Sequence, residues 1–110
     1  MAATPSVIAA AGICPQGLAP GAFAPGQQGC TVQNEGTGMW EITADDPSIV
    51  PGNSGLMLSP GSGSNVAEGI AFGQSQQTGN VFSYSTYRND TGAAVDVESQ
   101  FMIVKFPPGS

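Results

Sequence analysis

Glycine or proline interrupts this chain so often that few stretches could hold a stable helix. Sixteen glycines and nine prolines are spread over 110 residues, and both residue types weaken helix interiors. No segment shows a convincing apolar repeat at helical spacing. The pieces between the breaks are short and hold β-branched and aromatic residues, which is the pattern of strands joined by tight turns.

Six segments read as strands: 30–33, 39–44, 56–59, 68–74, 81–87 and 95–106. Between them stand turn sequences such as Asp46-Pro47, Pro51-Gly52-Asn53, Pro60-Gly61-Ser62-Gly63, Thr78-Gly79-Asn80 and Asn89-Asp90-Thr91-Gly92, whose residues favour the dihedral angles that turns need. The spacing predicts an all-β fold, an antiparallel β-sandwich or jelly roll of about six to eight short strands. Residues 30–110 form that sandwich in this reading. Residues 1–29, dense in Pro and Gly, form an extended N-terminal arm or edge segment, which is expected to lie along a partner and to order on docking.

Alternation identifies the core. Trp40 and Ile42 alternate with Glu41 and Thr43 after the turn residues Gly36 and Gly38, so one side of that strand faces inward. Phe82 and Tyr84 do the same between serines. In the last segment Phe101 and Ile103 share one parity while Met102, Val104 and Phe106 share the other. A strand apolar on both sides belongs at the centre of a sheet or at an interface between subunits. Trp40, Ile42, Phe82, Tyr84, Phe101, Met102, Ile103, Val104 and Phe106 are therefore the predicted core and interface residues.

The length fits one domain. Eight acidic residues face two basic ones, for a formal net charge of −6, so nucleic acid and anionic membrane surfaces repel this chain. Charged residues are only 9% of the sequence, against about a quarter in ordinary soluble domains. A surface made of small polar residues suits a protein packed beside copies of itself or onto a larger assembly. No stretch approaches the length of a membrane-spanning helix, and the start lacks the basic residue and long apolar run of a signal peptide. The expectation is synthesis in a cytoplasm.

Catalytic motifs find little support. Gly52-Asn53-Ser54-Gly55 resembles the surroundings of a serine nucleophile, but the chain has no histidine to serve as its base. Lys105, the alternative base, sits in the most apolar strand. The run Gly61-Ser62-Gly63-Ser64 lacks the lysine and helix of a phosphate-binding loop. Cys14 and Cys30 lack the further ligands of a zinc site. They permit either a disulfide, worth about 3 kcal/mol in the chain-entropy account, or two separate buried thiols. Asp45, Asp46 and Asn53, or Asp90 with Asp96, carry oxygens suited to calcium, although turn chemistry explains the same residues more simply. No catalytic, cofactor or metal site is assigned.

The segments Gly36-Thr37-Gly38-Met39-Trp40-Glu41-Ile42-Thr43 and Val95-Asp96-Val97-Glu98-Ser99-Gln100-Phe101-Met102-Ile103-Val104-Lys105-Phe106 together resemble small jelly-roll proteins of bacteriophage virions. These occur as capsid decoration proteins and fibre heads, and the resemblance extends to C1q-like modules. It spans residues 33–106 and lies in strand-packing positions. It implies a non-enzymatic decoration, or cement, protein on the outer surface of a virion, bound to the major capsid protein and assembled as a trimer. The alternative it implies is a receptor- or glycan-binding head module.

Overall fold

The computed structural model describes residues 5–60, 70–75 and 77–107. The strands in chain order are β1 (Val7–Cys14), β2 (Cys30–Gly36), β3 (Met39–Ala44), β4 (Ser54–Pro60), β5 (Ile70–Gln74), β6 (Val81–Arg88) and β7 (Ser99–Lys105). Sheet A has the order β1-β7-β4 and sheet B the order β2-β3-β6-β5. Every pairing is antiparallel, and no helix occurs among the described residues. The expected all-β sandwich is the fold observed.

Register explains why the two sheets close on each other. In sheet B, Val32, Ile42 and Phe82 lie side by side across three strands, and Asn34, Trp40 and Tyr84 form the next row. In sheet A, Ala10, Ile103 and Leu56 form a row, with Gly12, Phe101 and Leu58 beside it. These rows merge into one buried cluster. Val32, Ile42, Ile49 and Ile103 are fully buried, and each such side chain contributes about 1.5–3 kcal/mol through its removal from water. A buried hydrogen bond links the two sheets: Tyr84 Oη of sheet B lies 2.6 Å from Ser99 Oγ of sheet A.

Gly38 shows how tightly the β2–β3 hairpin meets β6. Its φ is +68°, and a Cβ there would lie 2.5 Å from the Thr86 carbonyl oxygen and 2.8 Å from that of Val95. Thr86 N–H donates to the Gly38 carbonyl over 2.7 Å, and Thr86 Oγ donates to the Val95 carbonyl over 2.7 Å. The hairpin therefore packs against residue 95 only if position 38 has no side chain.

The N-terminal segment is more integrated than an arm. Val7–Cys14 is an edge strand of sheet A, paired with β7 from Val7 opposite Lys105 to Cys14 opposite Ser99. The sandwich thus begins at Val7, not at Cys30. The connection that follows covers the open edges of both β1 and β2. Asn34 N–H donates to the Ala22 carbonyl and Ala24 N–H to that of Val32. Ala11 and Gln28 exchange two backbone bonds of 3.1 Å, and the Gln27 amide accepts from Ile13 N–H while donating to the Ile13 carbonyl. Covered edges cannot recruit a foreign strand.

The last strand is shorter than expected. It begins at Ser99, because the backbone of Val95 is already bonded to Thr86 of β6 and residues 95–98 serve as the return from sheet B to sheet A. Glu68 and Gly69, assigned to a strand from sequence, lie outside the described residues, as do 61–64 of the glycine-rich run.

Candidate functional site

Sheet A is apolar on the side facing away from the core. Outward positions hold Ile8, Ala11 and Ile13 of β1, Met102 and Val104 of β7, and Met57 of β4; Met57 and Met102 stand opposite one another in register. Phe106 extends this surface past the end of β7, its ring 3.7 Å from where a Gly55 Cβ would be. Ile8 is 63% exposed, Met57 58%, Ile13 43%, Phe106 40% and Met102 39%. Between them runs a shallow open groove of about 550 Å³, lined by Ala11, Ile13, Met57, Ser59, Gln100 and Met102. No charged side chain shares this outward parity among the described residues of the three strands.

Sheet B presents a different outer surface. Thr31, Thr43, Gln33, Glu41, Ser83 and Ser85 occupy most of its outward rows, with Val81 and the exposed Met39 as apolar members. Glu35 shares a hydrogen bond with Glu41 and raises its pKa, as expected for two carboxylates that resist ionising together. Asp45 and Asp46 lie in the β3–β4 connection, and Asp90, Asp96 and Glu98 in the β6–β7 connection. The acids among the described residues thus lie off the outward rows of sheet A.

The predicted core and interface residues divide by parity. Trp40, Ile42, Phe82, Tyr84, Phe101 and Ile103 are buried. Met102 and Phe106 are exposed on the outer face of sheet A, and Val104 is half-buried beside them. Trp40 and Tyr84 lie in the interior, where neither can stack on a sugar at the surface.

The residues examined for chemistry have structural partners. Ser54 opens β4 opposite Lys105, but its hydroxyl donates to the Val50 carbonyl. Lys105 Nζ instead lies 2.6 Å from Ser48 Oγ and 3.2 Å from Asp46 Oδ2. Lys105 is thus engaged with Asp46 and Ser48 and not with the Ser54 hydroxyl. Asp46 also accepts from the Ser48 amide and hydroxyl, and these bonds, with Lys105 alongside, hold its carboxyl at about 2. The cluster fastens the β3–β4 connection to the end of β7. Asn53 bonds Ser48 and Val50 within the same connection. Asp90 pairs with Arg88, and Asp96 accepts from Gly17 N–H. No group of metal-binding side chains assembles among the described residues.

Cys14 and Cys30 are both buried free thiols. Cys14 pairs with Ser99 at the end of β1, whereas Gly29, the neighbour of Cys30, lies against Ala9 and Ala10. The two thiols are separate and not bridged. Burial pushes both thiols up to about 11, which leaves them poor nucleophiles near neutral pH.

Sequence reasoning marked the two-sided character of β7 but missed its outward neighbours. Ile8 and Ile13 lay in the presumed arm, and Met57 in a segment too short to show its parity. Comparison with known proteins adds no relative: no protein-family description, curated protein or solved structure matches this chain.

Proposed function

We propose that this chain is a non-enzymatic structural component of a virion, a decoration protein that binds the outer surface of the major capsid lattice as a homotrimer. The observation that carries the structural part of this reading is the uncharged apolar outer face of sheet A. A surface of this kind is expensive to leave in water and marks a contact site. The resemblance of residues 33–106 to small phage jelly-roll proteins supplies the virion. Its mechanism is mass action: a protein that binds only the assembled lattice stabilises that lattice against rupture in proportion to its affinity and concentration. Such a role asks nothing of Ser54, Lys105 or the cysteines.

The test is to separate particles from soluble protein in lysates of the producing cells on a density gradient and to probe the fractions with an antibody to this chain. Co-migration with intact particles, and its loss when the particles are stripped, is the expected result. A chain confined to the soluble fractions overturns the virion reading.

A further inference from the structure

We infer that the outer face of sheet A is the surface through which this chain meets a second copy of itself. The inference rests on the structural reading above and names the contact which that reading leaves open. Such a contact closes as a twofold dimer, which takes the place of the threefold arrangement, and lattice attachment falls to other surfaces of the molecule.

Area supports it first. Five large apolar side chains, Ile8, Ile13, Met57, Met102 and Phe106, each keep roughly half of their surface exposed. At about 150–200 Å² for a large apolar side chain, the face displays on the order of 500 Å². Two such faces together would bury about 1,000 Å², the size at which specific interfaces begin.

Charge supports it second. With a net charge of −6, two copies repel wherever their acids come close. Pairing through sheet B would set Glu35 and Glu41 against their counterparts, whereas pairing through sheet A brings together outward rows that hold no charged side chain among the described residues. A basic partner would choose the opposite side, whereas the acid-free face lets another acidic molecule approach without close like-charge contacts.

Shape and edges agree. Met102 lies on the central strand of the sheet with Met57 opposite it, so symmetric contact sets flexible thioether side chains against one another, where they can adapt to fill gaps. The edge of β1 is already bonded to Gln27 and Gln28, which favours contact face to face over the addition of a strand.

The test measures the native mass of the full chain by size exclusion with light scattering across a dilution series. The expected wild-type mass is twice 11.0 kDa, because a face that meets its own copy closes as a twofold dimer. Met102→Lys and Met57→Lys each lower the net negative charge while placing ammonium groups in the contact, and each should weaken association by about thirtyfold or more, the effect of a hot-spot residue. Thr31→Lys, on the outer face of sheet B, should leave the mass unchanged. The emission wavelength of buried Trp40 reports that each variant is folded, and Met57→Lys, at a more exposed position, covers the case in which Met102→Lys is not. A wild-type protein monomeric at every concentration overturns the inference, as does an oligomer that resists a folded Met57→Lys variant. Failure here is separable from failure of the virion reading: a monomer that co-migrates with particles refutes only the self-contact, and an oligomer absent from particles refutes only the virion role.

Discussion

The outer face of sheet A and the outer face of sheet B are built on the same alternating backbone, yet one carries Ile8, Ile13, Met57 and Met102 and the other Thr31, Gln33, Glu41 and Ser83. Both sheets meet the demands of folding with their inward residues alone, since all of the large fully buried side chains lie between them. The outward positions are therefore free of the core's requirements, and their composition answers to what each face touches. Water explains the hydroxyls and carboxylates of sheet B. It does not explain a row of aliphatic and thioether side chains on sheet A.

The comparison breaks most visibly on β7, where inward and outward residues alternate. Ile103→Ala should cost about 2–5 kcal/mol in chemical denaturation, because it leaves a cavity in a filled core. Met102→Ala, one residue away, should stay within about 0.5 kcal/mol when measured on the monomer, as surface changes do. A large loss at Met102 in the monomer would mean that the outer face of sheet A is covered within one subunit, and the contrast between the faces would collapse.

The bond between the sheets comes next. Tyr84→Phe removes the 2.6 Å contact with Ser99 and leaves a buried hydroxyl short of a partner, which should cost about 1–2 kcal/mol in thermal or denaturant unfolding. An unchanged stability would show that this bond contributes little to joining the two faces. Gly38→Ala should cost at least about 1 kcal/mol by the same measurement, given its positive φ and the two carbonyl oxygens in the path of a Cβ.

The smallest expected effect lies on sheet B. Glu35 raises the pKa of Glu41, so the folded state holds that proton to higher pH than the unfolded chain does. The stability associated with Glu41 is present below the unfolded carboxylate value of about 4.3 and declines as pH rises through the folded value. Glu41→Gln should therefore stabilise the protein by a few tenths of a kcal/mol near neutral pH, about the scale of a like-charge cross-strand pair, and the gain should vanish in acid. A gain that persisted at low pH would point to packing and not to charge. Thr43→Ile, on the same face, should change stability by no more than about 0.5 kcal/mol.

Much of the sandwich was readable from local pattern. Gly36 and Gly38 marked the β2–β3 turn, and the alternation around Trp40 and Phe82 gave the inward faces of β3 and β6. Strand β1 was not readable, because Ala9, Ala10, Ala11 and Gly12 have weak strand preference and little contrast between their two sides. Pairing with β7, at the other end of the chain, makes those residues a strand. The Lys105 cluster was hidden for the same reason, since Ser48 and Asp46 are 57 and 59 positions away in sequence.

The sequence by itself determined the class of fold, the inward residues of the central strands, and a sparsely charged, net acidic composition. It could do so because turn chemistry, period-two alternation and net charge are local or additive properties of the chain. Only the tertiary structure decided that the first strand belongs to the sandwich, that the two cysteines are separate buried thiols, and that scattered apolar residues from three strands form one continuous outer face. Those outcomes depend on register between segments far apart in the chain, and register is fixed by the way the two inner faces fill their common core.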